Sequence, residues 1–246
     1  MRYRRVLVKI SGGALSGDNN ENFDHAHLEH ISNEILSLVE AGIEVAIVVG
    51  GGNIFRGRTA EAWGIDRVEA DNIGTMGTVI NSLMLRGVLK SKTEREVRVM
   101  TSVPISTVAE PYIRLKAMHH LDKGYLIICA GGNGQPFVTT DYPAVQRAVE
   151  LECDAILVAK QGVDGVFTAD PNKHKHAKMY TSLNYDDILI NNIQVMDQTA
   201  LLLARDHKLP VHIFNFDYPE IIKKLCAGMD VGTIVSSHPS MLKEDA

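Results

Sequence analysis

The chain has 246 residues, 45% of them apolar, 22% charged and 6% aromatic, with a formal net charge of −5. That composition suits a soluble globular protein near the size at which one hydrophobic core stops growing, so a single domain over residues 1–246 is expected. Lys and Arg are spread along the chain rather than gathered into a stripe for a nucleic-acid duplex, and no apolar window approaches the roughly 18 residues of a membrane span.

The opening MRYRRVLVKISGG is basic, but its apolar run Val6-Leu7-Val8 stops at Lys9, too short for a secretion signal. Residues 6–10 read as a strand. Leu28, Ile31, Ile35 and Val39 recur at helical spacing, with Asp24 as a cap before them and Gly42 as the stop. Residues 45–49 form the next strand, and a helix is expected over roughly 71–89. VRVMTSV and YLIICA read as strands around a helix at 111–121, followed by the strands AILVA, VHIFNF and TIVSS. These runs are apolar on both faces, as expected of parallel strands covered on each side by helices. The fold class is therefore α/β, a three-layer αβα sandwich around a mainly parallel open sheet. The polar stretch TADPNKHKHAKMY, with its Asp-Pro step, reads as a surface loop. Cys129, Cys153 and Cys226 are odd in number and far apart, two of them within apolar, strand-like runs. Buried reduced thiols in a cytoplasmic protein are expected.

Glycines fall at three strand ends, in KISGG, in GGGN and in AGGNGQPF. Ligands of open α/β sheets bind beyond the carboxyl ends of the strands. Backbone N–H groups without side chains in the way can approach phosphate oxygens there. Lys9 closes the first strand and could supply a full positive charge. Arg56, just past the triple glycine, could supply a planar fork. The plainer alternative makes Lys9 a strand-end lysine in solvent and Arg56 a surface residue. There is no G-x-x-x-x-G-K-[ST] stretch, and no G-x-G-x-x-G fits between a strand and a helix, so two familiar phosphate scaffolds are excluded. Residues 132–141, GNGQPFVTTD, offer Asn133, Gln135, Thr139 and Thr140 as hydrogen-bonding groups. Thr140 and Asp141 serve either as a helix cap or as ligand contacts. VDGVFTADP places Asp164-Gly165 in a turn, followed by Phe167, core residue or wall for a base, and Asp170. No Ser/His/Asp or Cys/His arrangement can be assembled from spacing. His25, His27, His174 and His176 stand in polar contexts typical of solvated side chains.

Several motifs together, KISGGAL, VVGGGNIFRG, DRVEADNIGTMGTVINSL, AEPYIRLKAMHHLDKG, AGGNGQPFVTTD, AKQGVDGVFTADP and VMDQTA, occur in the order and spacing of bacterial uridylate (UMP) kinases. The chain resembles that branch of the amino acid kinase superfamily from about residue 4 to residue 236. The resemblance implies transfer of the γ-phosphoryl group of ATP to UMP, with Mg²⁺ carried on the ATP phosphates and no protein metal site. It implies that Lys9, Ile10, Ser11, Gly12, Gly52 and Arg56 hold ATP phosphates, and that Gln161, Phe167 and Asp170 line the adenine and ribose site. Gly51 would face the UMP phosphate and Asp71 the ribose hydroxyls. Asn133, Gly134, Gln135, Pro136, Phe137, Val138, Thr139 and Thr140 would wrap UMP. Lys9, Arg56, Asp141 and Asp197 match the catalytic positions. Such enzymes are homohexamers, activated by GTP and inhibited by UTP.

The chain departs from the family pattern at Gly13, where a glutamate is usual, at Asn133 and Gln135 in the acceptor loop, and at Thr75. Two other readings remain: a superfamily kinase acting on another phosphate monoester or on a carboxylate such as acetylglutamate, and a non-catalytic nucleotide-binding or storage protein on the same fold.

Overall fold

The computed structural model describes residues 1–17 and 21–243. In its first half, β1 (Arg5–Ile10) runs into a 3-10 turn (Gly12–Leu15), α1 (His25–Glu40) and β2 (Glu44–Val49). Next come α2 (Gly57–Ala62), α3 (Arg67–Lys92), β3 (Val97–Thr101), β4 (Glu110–Pro111), α4 (Arg114–Asp122) and β5 (Leu126–Ala130). The second half contains α5 (Asp141–Glu150), β6 (Ala155–Lys160), β7 (Tyr180–Asn184), α6 (Tyr185–Ile190) and α7 (Gln198–Asp206). It closes with β8 (Val211–Asn215), α8 (Ile221–Cys226), β9 (Thr233–Ser236) and β10 (Met241–Leu242).

Local chemistry sets several of these bounds. Asp24 caps α1 as expected, its Oδ1 accepting from the His27 amide at 2.9 Å. Leu28, Ile31, Ile35 and Leu38 then make one buried helical face. The long helix begins at Arg67 rather than near residue 71, because Asp66 caps it by accepting from the Val68 amide. The helix expected at 111–121 starts later, at Arg114, because Glu110 and Pro111 pair with Met100 and Thr101 as an edge strand. Pro lacks an N–H, so a sheet edge of this kind suits it.

The ten strands form one sheet in the order β10-β7-β9-β8-β6-β1-β2-β5-β3-β4. Among the described residues every pairing is parallel except β8 with β9 and β10 with β7. Strand alternation sorts β1 between two cores. Val6, Val8 and Ile10 pack with α1, α3 and α8, while Leu7 packs with α4, α5 and α7 on the other face. The three cysteines are buried and free, although only Cys129 lies in a strand; Cys153 follows α5 and Cys226 ends α8. At the carboxyl ends of the adjacent strands β6, β1, β2 and β5, the glycine-rich segments meet.

Candidate functional site

A cavity of about 600 Å³ opens at that edge, lined by Lys9, Ser11, Gly12, Gly51, Gly52, Arg56, Asp71, Val138, Thr139 and Thr140 among others. Motifs far apart in sequence, the first two strand ends, the first turns of α3 and the end of the 132–141 segment, are thus brought to one surface. Ile10 is not part of the lining. Its side chain is fully buried in the α1–α3 core, so only its backbone could reach a ligand.

The glycines divide by purpose. A Cβ on Gly51 would stand 2.4 Å from the Gly74 carbonyl oxygen and 3.0 Å from the Thr78 amide nitrogen, so glycine there lets α3 press against the loop. A Cβ on Gly52 would meet nothing within 4 Å, so that position faces open space. Asn81, fully buried in α3, pins the same loop by donating to the Gly50 carbonyl at 2.6 Å and to Asn53 Oδ1 at 2.7 Å. The Arg56 guanidinium is exposed at the rim, its Nε donating to the Gly52 carbonyl at 2.9 Å.

Lys9 and Leu7 alternate with Val8 along β1, so Lys9 leaves the sheet on the α5 side. There its Nζ meets Asp141 Oδ1 at 2.7 Å. Asp141 is the first residue of α5; Thr140 holds the cap position, and its side chain makes no cap hydrogen bond. The capping alternative for Asp141 is thereby replaced by an ion pair. Its other oxygen accepts from the Asp197 amide at 3.2 Å, and Asp197 in turn accepts from the Thr139 hydroxyl. Burial pushes the Asp141 carboxyl upward, but Lys9, the Asp197 amide and Lys160 outweigh it and hold the pKa below the ordinary value.

Asp71 is already engaged. Both its oxygens accept from Arg67 Nε, at 2.9 and 3.0 Å, and Oδ2 also accepts from the Phe137 amide at 2.7 Å. Phe137 has a positive φ of 64° and a ring that is 66% exposed, with the Arg67 guanidinium 5.8 Å from its centroid. Of the segment expected to wrap the acceptor, Val138, Thr139 and Thr140 line the cavity, while Asn133, Gly134, Gln135, Pro136 and Phe137 lie outside its lining. Asn133 instead closes a local turn by accepting from the Gln135 amide.

A second cavity, about 570 Å³, brings together Gln161, Phe167 and Asp170 as expected, with Val163, Asn192 and Val195 also in its wall. Phe167 is half-buried and pairs as an isolated bridge with Met179, so its ring belongs to a wall rather than to the core. Asp170 accepts from the Asn172 amide at 3.0 Å and pairs with Lys173 at 3.5 Å; the amide first, then Lys173, depresses its pKa.

The chain matches the family model described as the amino acid kinase family over residues 4–215. The chain belongs to that family. Among its relatives, a uridylate kinase of Frankia casuarinae is 54% identical over 243 residues, covering 99% of this chain and 94% of that one. A uridylate kinase of Rickettsia bellii is 48% identical over 215 residues, covering 87% of this chain and 89% of the relative. The crystal structure of a UMP kinase from Bacillus anthracis superposes with a TM-score of 0.98 at 66% identity, covering 99% and 100% of the two chains. That of Ureaplasma parvum superposes at 0.90 and 33% identity, covering 96% and 100%.

For an amino acid kinase, the arrangement supplies cations, backbone donors and a water-accessible cleft, and no side chain poised as a covalent nucleophile. Sequence reasoning missed Lys160, Arg67 and Thr78, whose hydroxyl accepts from the Gly131 amide at 2.9 Å. For Arg67 the i,i+4 spacing to Asp71 was a usable signal. Lys160 and Thr78 needed the fold.

Proposed function

We propose that this amino acid kinase transfers the γ-phosphoryl group of ATP to UMP, giving UDP and ADP for pyrimidine nucleotide synthesis. The observation that carries the reading is the convergence of Lys9, Arg56, Asp71 and Thr139 on one glycine-floored cavity. The extent and identity of the match to uridylate kinases support it.

The acceptor is a phosphate monoester whose second pKa, about 6, leaves it largely dianionic at neutral pH, so no general base is needed. The work left to the chain is positioning and charge neutralisation. Lys9, Ser11, Gly12, Gly52 and Arg56 hold the donor phosphates, and Gly51 borders the acceptor phosphate. Asp71 takes the ribose hydroxyls; a carboxylate has about four lone-pair sites, so the Arg67 and Phe137 contacts leave room. Residues 133–137 fold inward over UMP, and Gln161, Phe167 and Asp170 hold the adenosine end. Asp141 and Asp197 keep Lys9 aimed at the transferred group. Mg²⁺ fits as an ion carried on the phosphates: among the described residues no group of three or more His, Cys, Asp or Glu gathers to hold one, and Mg²⁺ needs only one or two carboxylates besides phosphate oxygens. When bound it supplies neutralisation of the donor's charge.

The protein acts as one domain, in the cytoplasm, as the resemblance to UMP kinases implies. Among the described residues no helix is long and apolar enough to cross a membrane. Self-association is supported by Ile73, Met76, Ile80 and Met84, an exposed apolar stripe at helical spacing on α3; its hexameric form follows from the resemblance to UMP kinases. Activation by GTP and inhibition by UTP follow from the resemblance to UMP kinases. A coupled ADP-release assay with UMP, CMP, dCMP and acetylglutamate tests the reading. UMP is expected to be the preferred acceptor. Absence of turnover with UMP and Mg²⁺-ATP, with nucleotide binding retained, would leave the non-catalytic alternative.

A further inference from the structure

Lys160 ends β6, the strand beside β1. Lys9 is in register with Val158, so two residues later Lys160 leaves the same face of the sheet, toward α5. It lines the second cavity, whereas Lys9 lines the first. Its charge helps to lower the pKa of Asp141, the acid that pairs with Lys9 on the neighbouring strand.

The group lacks an anionic partner. Its Nζ donates to the neutral carbonyl of Val195 at 3.3 Å, and among the described residues no carboxylate pairs with it. The buried arginines Arg147 and Arg5, by contrast, are met by acids, Arg147 by Glu150 at 2.6 Å and Arg5 by Glu44 and Asp122. Here the Asp141 carboxylate is paired with Lys9. Burial lowers the Lys160 pKa, Lys9 lowers it further, and Asp141 only partly opposes them. A half-buried cation held near a like charge is costly unless an anion arrives.

We propose that Lys160 is a further catalytic residue, whose ammonium group contacts the non-transferred phosphates of the nucleotide donor as the donor passes from the second cavity into the first. The proposal rests on the phosphoryl-transfer reading of this site. As the bond from the γ-phosphorus to its bridging oxygen breaks and the bond to the acceptor phosphate oxygen forms, the electron pair stays with the departing diphosphate. Lys160 neutralises that growing charge while Lys9 and Arg56 serve the transferred group; no proton needs to move. The competing role is a tether that holds residues 193–197 to the sheet through the Val195 carbonyl.

Lys160→Met and Lys160→Arg, compared with the full-length wild type, separate the two. In Lys160→Met, kcat is expected to fall about 100-fold, the size of losing one charge-stabilising group, with the UMP KM within twofold. Calorimetric affinity for inorganic tripolyphosphate should fall about tenfold while affinity for adenosine holds, and Lys160→Arg should recover much of both losses. A kcat within threefold of wild type in a Lys160→Met protein of unchanged melting temperature overturns the proposal. So does an equal weakening of adenosine and tripolyphosphate, the tether's signature. If the wild type itself turns over no UMP, the function reading fails, while the tripolyphosphate and adenosine titrations still decide whether Lys160 is a phosphate contact.

Discussion

β1 carries two cations on one face, and their surroundings differ. At its start, Arg5 is 1% exposed and every arm of its guanidinium is used: Nε meets Glu44 at 2.5 Å, Nη2 meets Asp122 at 2.7 Å, and Nη1 donates to the Leu151 carbonyl at 2.6 Å. At its end, Lys9 meets one carboxylate and otherwise faces a cavity. A planar fork with a bond on each of its three nitrogens locks β1 to β2, α4 and the end of α5, and at 1% exposure it is closed to a ligand. An ammonium group with one partner and open space has two donors to spare. Position along the strand explains the contrast, since ligands of parallel sheets gather at carboxyl ends. On the proposed function, unspent hydrogen-bonding capacity in a cavity is what separates Lys9 from Arg5, not charge.

The comparison breaks most visibly if Arg5 proves functional. Arg5→Met should cost about 3 kcal/mol of stability, the lower end for a broken buried pair because Asp122 is largely solvent-facing. The folded protein should keep kcat within twofold; urea unfolding alongside turnover measures both, and a kcat loss at unchanged midpoint would erase the distinction. His212 offers a second structural base of similar size. It is buried, bonded to the Tyr3 hydroxyl at 2.7 Å, and pushed down to a pKa of about 4 by burial and then by Arg2. Between about pH 4 and 6.5 the unfolded chain binds the proton that the folded chain refuses, so stability rises with pH across that window, by about 3 kcal/mol. His212→Gln should flatten denaturation midpoints over that range, and an unchanged slope would refute the assignment. Lys9→Ala should lower kcat at least about 100-fold, while the unfolding midpoint falls less than in Arg5→Met, because Asp141 keeps the Asp197 amide and the field of Lys160.

Much of this was legible in the residues. Continuous β-branched runs gave the central strands because parallel strands buried on both faces need no alternation. β7, with its Tyr-Thr-Ser-Leu-Asn sequence, and the α6 turn that follows were not seen, since neither carries a clean apolar period. The glycine-rich strand ends pointed to the edge of the sheet where the cavity of Lys9 and Asp71 opens, but not to each glycine's task. That Gly51 is required by the approach of α3 follows from a contact between residues 51 and 74 that no local pattern encodes. Lys160 looked like any strand-end lysine; what distinguishes it is that, among the described residues, its ammonium group donates to a neutral carbonyl and no acid pairs with it, which a sequence cannot display.

Asp71 stands between the two extremes, and the smallest expected effect belongs to it. Unlike Arg5 it is not sealed, and unlike Lys9 it is not short of partners, since Arg67 and the Phe137 amide already hold it. Asp71→Asn keeps the shape but lets the amide accept at one atom only, which weakens the pull on residue 137 and, on the proposed function, the ribose contact. The UMP KM is expected to rise about tenfold, equivalent to about 1.4 kcal/mol, with the ATP KM and the unfolding midpoint near wild type. Because Arg67 is 57% exposed, its pair with Asp71 adds little stability of its own. Arg67→Ala therefore sharpens the result. If Arg67 merely aims the carboxylate, its loss raises the UMP KM less than Asp71→Asn does. An equal rise in both variants would instead make the pair, rather than Asp71 alone, the acceptor-binding unit.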